Sequence, residues 1–455
     1  MFSAFFERFA DQPCLSDRQQ TLSYAETLAL GRRVIAKLPP VRSLVLLRCS
    51  LTVEAIAAYV ALLDAGHVPL LLEDDLAPEL VERLAAQYRV DAVLDSLGDL
   101  LLREGGALLH PDLALLLTTS GSTGSPKLVR LSHRGVLANA RAISEALAIN
   151  SDERPLLHLP MSYSYGLSVI HSHLVQGACI CLTQRTVTEA GYFDDLAHHA
   201  ATSIAGVAFH YTALRRLLAK IDAPALRTLT QAGGRLDPRL VSFFADWAAG
   251  TGRQFVVMYG QTEAGPRIAT LPPECALAAP DAIGLPLPGV VVHLIDEDGA
   301  PVADGAAGEM IVESRGVMMG YAHGHADLAD GDVLHGRLAT GDLARRGADG
   351  LLRIVGRRSR ILKIYGLRVN IDEVEQSLAA LGHRTICFGC DDSLRILIEG
   401  EKDAQAVRQQ VVELFSLPPR GIEVRAGPPL ARTASGKLTA AALADGWDAA
   451  DGVMN

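Results

Sequence analysis

Up to residue 208, short apolar runs alternate with helical patterns, and this alternation constrains the fold more than any other feature of the chain. Residues 51–65 carry a helical pattern that Gly66 stops, and Val68-Pro69-Leu70-Leu71-Leu72 follows as a strand. The pattern recurs at 134–147 with 156–159, and again at 194–200 with 204–208. Strands separated by helices are too far apart in sequence for tight hairpins, so they pair in parallel through helical crossovers. An α/β domain with a largely parallel sheet is therefore expected. With 455 residues the chain is too long for one ordinary core, so two or more domains are expected.

The texture changes at about 283–355. There the chain is rich in Gly, Pro, Asp and Val, with the run Val290-Val291-Val292-His293-Leu294-Ile295 and the turn signals Asp296-Glu297-Asp298-Gly299 and Ala348-Asp349-Gly350. Several antiparallel strands, closing as a small distorted β-barrel, are expected. After Arg360 the pattern changes again. Asn370 can cap a helix, with Glu373 placed to close a capping box. Ile371, Val374, Leu378 and Leu381 then share one face, and Gly382 ends the helix. Strands near 385–389 and 394–398 and a helix near 403–415 complete a small α+β unit of roughly 100 residues, within the usual domain range. The expected division is 1–358 and 359–455.

Hydrophobic residues make up 49% and charged residues 21%, a globular composition. A formal net charge of −10 argues against a nucleic-acid partner and against a basic membrane-surface protein. Nothing resembles a run of about 18 apolar residues, so no membrane span is expected. The start, Met1-Phe2-Ser3-Ala4-Phe5-Phe6-Glu7-Arg8, lacks the basic-then-apolar order of a signal peptide. Seven scattered cysteines suit a reducing cytoplasm. Cys387-Phe388-Gly389-Cys390 has a redox or metal spacing, but without a second pair it is expected to be ordinary strand.

Residues 117–127 read Leu-Thr-Thr-Ser-Gly-Ser-Thr-Gly-Ser-Pro-Lys. Backbone N–H groups freed by glycine can close around phosphate oxygens, hydroxyls can donate to them, and lysine adds a point charge. The stretch is not a Walker loop: Gly-Lys-Ser/Thr is missing at the required offset. Apolar runs on both sides, Leu113 to Leu117 and Leu128 to Leu131, place it on a strand–loop–strand hairpin. A flexible Ser/Gly surface loop is the plain alternative.

Four further segments suggest chemistry. In Met258-Tyr259-Gly260-Gln261-Thr262-Glu263 the carboxylate can hold Mg²⁺ and the tyrosine offers a flat face for a purine. In Thr340-Gly341-Asp342 a carboxylate after a glycine turn can accept two ribose hydroxyls. Gly356-Arg357-Arg358-Ser359-Arg360 lies at the second change of texture, and Arg432-Thr433-Ala434-Ser435-Gly436-Lys437 lies near the C-terminus. Together, in this order, they resemble the ANL superfamily of adenylate-forming enzymes: acyl-CoA and aryl-CoA ligases, nonribosomal-peptide adenylation domains and firefly luciferase. The resemblance extends from Leu22-Ser23-Tyr24-Ala25-Glu26, through Leu62-Leu63-Asp64-Ala65-Gly66, to Lys437.

The resemblance implies a large N-terminal domain of α/β subdomains plus a distorted β-barrel, with a small C-terminal lid. It implies that a carboxylic acid attacks ATP, with Mg²⁺, to give acyl-AMP and pyrophosphate, and that a thiol of CoA or of an acyl or peptidyl carrier protein's phosphopantetheine then takes the acyl group. By the same resemblance, Thr119, Ser120, Ser122, Thr123 and Lys127 would hold the β- and γ-phosphates. Tyr259 and Gly260 would flank the adenine opposite Gly233 and Gly234, Thr262 would touch the α-phosphate and Glu263 would bind Mg²⁺. Asp342 and Arg357 would hold the ribose. Lys437 would bridge the carboxylate and the α-phosphate, then leave as the lid turns and Lys363, Tyr365 and Gly366 approach. The basic residues Arg353, Arg357, Arg358, Arg360, Lys363 and Arg368 would either meet phosphates of CoA or an acidic carrier protein, or form a solvated face.

Three departures stand out: Leu128 where the family usually has glycine, Ser359 at the usual hinge position, and a short stretch before residue 117. On the acid side, Tyr163 falls where ligases often carry a gating histidine. Ser164 falls where amino-acid-activating domains carry an aspartate. A buried ammonium without that carboxylate is costly, which speaks against an α-amino acid. Phe209, His210, Tyr211, Ala232 and Gly233 are expected to line the rest of an aryl or acyl pocket, with His210 either bonding a ring hydroxyl or serving as packing. The competing functions are a catalytically inactive nucleotide-binding scaffold, a stand-alone amino-acid-activating enzyme and a phosphotransferase that releases ADP.

Overall fold

Thr52 begins the helix expected at 51–65. Its side chain accepts from the Ala55 N–H, the helix runs Val53–Asp64, and every residue from Ala55 to Leu63 is buried. Glu54, the exception in the first turn, suits the positive end of the helix. Beyond Gly66 the chain enters the buried strand Val68–Glu73. The computed structural model describes residues 2–95, 98–118, 127–218, 221–364, 367–390, 392–400, 403–415, 417–430, 443 and 446–447. Two compact units divide the chain: Met1–Val292 with Val312–Leu338, and His293–Ile311 with Ala339–Asn455.

The first unit contains two sheets. One has seven strands among the described residues, in the order Gly320–Ala322, Leu128–Ser132, Leu113–Thr118, Val68–Glu73, Leu44–Cys49, Ala92–Leu94 and Leu100–Leu102. Its centre is parallel, and both edges are antiparallel. The other has nine strands, in the order Leu285–Pro286, Ala269–Leu271, Gln254–Tyr259, Thr228–Gln231, Ser203–Gly206, Pro155–Leu157, Ile180–Leu182, Pro13–Ser16 and Thr21–Ser23. Its six central strands are parallel. Burial on both faces explains why the strands read as continuous Leu/Val/Ile runs instead of alternating.

Helices fill the space between the sheets. His133–Ala146 rests on the hairpin strands, Ser164–Leu174 rests on Pro155–Leu157 and Ile180–Leu182, and the two helices touch. Every residue of Ser164–Leu174 is buried, including His171 and His173. Polar groups in that layer need internal partners. Tyr59 OH meets His171 Nε2 at 2.7 Å, and the His173 Nδ1–H donates to Val169 O at 2.8 Å. Among the described residues no helix is long and apolar enough to cross a membrane.

The antiparallel strands expected at 283–355 are present. Val290–Ile295, Ala307–Ser314, Arg337–Arg346 and Leu352–Arg357 form a four-stranded sheet, while Leu285–Pro286 and Gly320–Ala322 extend the two larger sheets. In the second unit the hairpin Ile361–Ile364 with Leu367–Asn370 leads into helix Ile371–Ala380. Asn370 caps it, but its side-chain oxygen accepts from Asp372 N–H at 3.0 Å instead of the Glu373 N–H that a capping box needs. Ile371, Val374 and Leu378 face the core, whereas Leu381 is 51% exposed. The helix has already ended at Ala380, so Leu381 no longer follows its apolar face. Three strands, Thr385–Cys390, Ser393–Glu399 and Ile422–Gly427, and helix Ala404–Phe415 complete this α+β core. Cys387 and Cys390 lie in a regular strand, and among the described residues no cluster of His, Cys, Asp or Glu could hold a metal.

Candidate active site

The Ser/Thr/Gly loop does sit on a hairpin. Leu113–Thr118 pairs antiparallel with Leu128–Ser132, and Thr118 opposes Leu128 at the loop's root. Thr119, Ser120, Ser122 and Thr123 lie outside the described residues, as do Gly366 and Lys437. Lys127, at the loop's end, has its Nζ 3.6 Å from the centre of the Tyr321 ring, a cation–π contact. Tyr321 sits on the short strand that pairs with Leu128–Ser132, opposite Val129. Its hydroxyl donates to Glu263 Oε1 at 2.8 Å. Burial and the Glu263 carboxylate push the Tyr321 phenol far above its ordinary range, so it stays a neutral donor. One tyrosine therefore joins the loop's lysine to the carboxylate of a motif 136 positions later (263 − 127).

Glu263 lies in the single turn Thr262–Ala264, which follows strand Gln254–Tyr259. Gly260 has to be glycine: a Cβ there would fall 1.8 Å from the Pro266 carbonyl oxygen. That close return of the chain turns Thr262 and Glu263 out of the sheet's carboxyl end, where ligands of open α/β sheets bind. Thr262 Oγ1 meets Ser164 Oγ at 2.8 Å, which brings the phosphate-side motif against the start of helix Ser164–Leu174. Tyr259 and Gly260 are both partly buried.

On the other side of the same sheet edge, Ala232 is buried and Gly233 adopts φ +77°. A Cβ on Gly233 would lie 2.1 Å from Tyr163 OH, so the tyrosine packs directly on this left-handed turn. Burial raises the Tyr163 phenol above its ordinary value, with Arg267 partly offsetting this. Gly234 is exposed, and its carbonyl accepts from Gln231 Nε2 at 2.8 Å. His210 is buried in the first turn of helix Ala208–Leu217, whereas its neighbour Phe209 is 55% exposed. Tyr211 is fully buried against Phe244 and Phe255 and belongs to the core.

In the second unit Asp342 and Arg357 stand opposite each other on adjacent strands. Arg357 Nε donates to Asp342 Oδ1 at 2.8 Å, and Asp342 is almost wholly buried while the guanidinium is exposed. The basic cluster is less cationic than its sequence suggests. Arg353 pairs with Asp349, Arg358 with Glu309, and Arg360 with both Asp372 and Glu375.

Four residues were not singled out by the sequence. Tyr321 carries the link just described. Tyr192 bonds to His158, and His158 bonds to His210. Arg267 is buried with its guanidinium 4.1 Å from the centre of the Tyr165 ring, and burial lowers its pKa. The signals were faint: single residues in apolar or turn segments, whose meaning comes from strand pairing alone.

Residues 104–322 match the family described as AMP-binding enzyme. The chain is 31% identical over 365 residues to phosphinothricin tripeptide synthetase PhsC of Streptomyces viridochromogenes, a match covering 72% of this chain and 32% of that protein. It is 30% identical over 296 residues to a long-chain-fatty-acid–CoA ligase of Escherichia coli O157:H7, covering 60% of this chain and 51% of the ligase. The chain thus spans about half the length, or less, of these curated relatives. Its fold is that of the o-succinylbenzoate CoA synthetase MenE of Bacillus subtilis in complex with the acyl-adenylate intermediate OSB-AMP, with a TM-score of 0.78, 21% identity and 96% of each chain covered. The ordered motifs, the matching AMP-binding region and the shared fold agree: the chain belongs to the adenylate-forming, AMP-binding enzyme superfamily.

Proposed function

We propose that the chain activates a carboxylic acid with ATP, giving acyl-AMP and pyrophosphate, and passes the acyl group to a thiol of CoA or of carrier-protein phosphopantetheine. The observation that carries this is the Lys127–Tyr321–Glu263 arrangement at the root of the hairpin loop. It sets a cation and an oriented carboxylate beside a loop rich in hydroxyls and backbone donors, the composition of a polyphosphate site.

Mg²⁺ fits Glu263. Tyr321 fixes one carboxylate oxygen; among the described residues the other oxygen has no hydrogen-bond partner, and no group of three or more His, Cys, Asp or Glu side chains could hold a metal elsewhere. That suits an ion that takes most of its ligands from phosphates and water. When bound, it would neutralise charge on the phosphates. The chain's own residues do the rest. Lys127 would face the phosphate tail, with Thr119, Ser120, Ser122 and Thr123 donating from the loop. Tyr259 and the Gly233–Gly234 turn would hold the base, and the Asp342–Arg357 pair would hold the ribose. Lys437 would bring the carboxylate and the α-phosphate together. Residues 359–455 would act as the lid, pivoting near Ser359, with Gly366 entering for the thiol step.

Ser164 supports an acyl or aryl acid over an α-amino acid. Its hydroxyl is engaged with Thr262, and position 164 itself carries no carboxylate to receive an ammonium. PhsC is a tripeptide synthetase and the Escherichia coli relative a fatty-acid–CoA ligase, which supports CoA as one acceptor.

Acid-dependent ATP–pyrophosphate exchange with Mg²⁺, measured across fatty, aryl and amino acids, tests the proposal. Exchange with fatty or aryl acids is expected. Exchange with α-amino acids alone overturns the substrate half, release of ADP indicates a phosphotransferase, and no turnover indicates an inactive scaffold. Ser359→Pro is expected to keep exchange and lose thioester formation, because proline fixes φ near about −65°. Normal thioester output from that variant rules out a pivot there.

A further inference from the structure

We infer that Tyr192, His158 and His210 form a one-way hydrogen-bond relay that fixes His210 as a donor toward the acyl group, and that the enzyme therefore selects acids bearing a hydrogen-bond-accepting oxygen on their chain or ring. This rests on the acid-activation reading above.

The three residues come from three segments at the carboxyl edge of the nine-stranded sheet. His158 follows strand Pro155–Leu157, Tyr192 opens helix Tyr192–His198, and His210 lies in the first turn of Ala208–Leu217. All three are buried. Tyr192 OH lies 3.2 Å from His158 Nδ1, and His158 Nε2 lies 3.1 Å from His210 Nδ1. The Val207 backbone N–H also points at His210 Nδ1, at 3.4 Å.

That backbone group sets the direction. An N–H can only donate, so His210 Nδ1 is an acceptor and His158 Nε2 carries the proton shared between the rings. His158 Nδ1 must then accept, and the Tyr192 hydroxyl must donate to it. The reverse order would set a protonated Nδ1 against the Val207 N–H. Burial lowers His158 to about 3 and His210 to about 4, so both rings are neutral at physiological pH. With Nδ1 committed as acceptor, the proton of His210 sits on Nε2. Among the described residues Nε2 has no partner, and it is not sealed: it lies on the small part of His210, 4%, that is open.

The His210 ring is tied through Val207 to the wall proposed for the acid. The Cβ position of Gly233 is 2.1 Å from Tyr163 OH and 3.2 Å from a Val207 methyl, and Val207 is the residue bonded to His210. Once a bound acid covers this Nε2–H, a donor left without an acceptor is costly, and the ring cannot switch tautomer without breaking the relay. An oxygen on the bound acid satisfies it, a methylene leaves it unpaired, and an ammonium opposes it. His210 is then a specificity residue, and His158 and Tyr192 are positioning residues.

The test is ATP–pyrophosphate exchange with matched acids. Benzoates carrying methoxy, ethyl or aminomethyl at each ring position and straight-chain acids carrying a keto group or a methylene at each carbon serve as probes. At one position the oxygen probe is expected to exceed its carbon isostere in kcat/KM by about tenfold or more, with the ammonium probe lowest. His210→Phe should bring that ratio close to one, and His158→Phe should reduce it. His158→Gln should restore it, because the amide can donate to His210 and accept from Tyr192. If His158→Phe fails to fold, Tyr192→Phe reads the same ratio from the far end of the relay and should lower it. No oxygen preference at any position, or a ratio unchanged by His210→Phe, overturns the inference alone. No exchange with any acid overturns the activation reading and the inference with it.

Discussion

Two regions of the first unit do opposite kinds of chemistry with similar economy. Around Glu263 the groups are charged and partly open: a lysine over a tyrosine ring, and the tyrosine's hydroxyl on a carboxylate. Around His210 they are neutral and buried: two imidazoles and a phenol joined by successive hydrogen bonds, with burial holding the rings uncharged. The first region suits a ligand that brings several negative charges and its own metal. The second suits one that brings a mostly apolar body with a single polar feature. On the proposed reading, the charged region would take the nucleotide and the neutral one the acid.

The largest expected break in the comparison is at Lys437, the remaining charge that the superfamily resemblance places on the phosphate side. Lys437→Ala is expected to lower pyrophosphate exchange by roughly 10²–10³-fold, the scale for losing one charge-stabilising donor. Thioester formation from supplied acyl-AMP should fall far less. Separate assays of the two half-reactions check this, and an equal fall in both would show that Lys437 serves something other than adenylation.

The contrast also explains what the sequence discloses. Charged chemistry is compressed into short motifs, because phosphates are gripped by consecutive backbone and side-chain donors. The loop at 117–127, Thr262-Glu263 and Gly341-Asp342 therefore stood out as a candidate nucleotide site, and the hairpin carrying the loop was legible from its flanking apolar runs. The neutral side is assembled across distance. His158 and His210 are 52 residues apart and His158 and Tyr192 are 34 apart, and each sits in an ordinary-looking strand end or helix start. Only parallel pairing of the strands before them brings them together. Tyr321 was hidden in the same way, since its meaning depends on register opposite Val129. The basic cluster has counter-charges that its own run of residues does not show: Arg353 meets Asp349 in the adjoining turn, Arg358 meets Glu309 on strand Ala307–Ser314, and Arg360 meets Asp372 and Glu375 of helix Ile371–Ala380.

A pH titration of stability sharpens the comparison from the neutral side. His158 and His171 are lowered to about 3, and His173 and His210 to about 4, each mainly by burial. In the unfolded chain a histidine titrates near about 6.5. Between that value and about pH 4 the unfolded state binds more protons, so stability is fully present above about 6.5 and falls as the pH drops. Each such histidine contributes a slope of up to about 1.4 kcal/mol per pH unit. Denaturant unfolding from pH 7 to 4.5 should show this decline. The double variant His158→Gln with His210→Gln should remove about two protons from the slope. An unchanged slope would mean that the pair is already hydrated or charged in the folded state.

The smallest expected effect is at Tyr321, where the charged side depends on a neutral group. Tyr321→Phe keeps the ring under Lys127 Nζ, so the cation–π contact survives and the strand pairing is unaffected. The change removes only the hydroxyl that holds Glu263 Oε1. Glu263 would then swing among several rotamers, and the cost of fixing it would move from folding to binding. Loss of a group that orients a metal-binding carboxylate typically costs about 10–100-fold in metal affinity. The lower end, about tenfold, is expected here, because phosphates and water supply the remaining ligands. The effect should appear as a higher Mg²⁺ concentration for half-maximal pyrophosphate exchange, with the rate largely recovered at saturating Mg²⁺ and the oxygen-over-carbon preference among acids unchanged. A fall in rate that excess Mg²⁺ does not repair would assign the hydroxyl to the phosphates instead. A shift in acid preference would show that the charged and neutral regions are coupled.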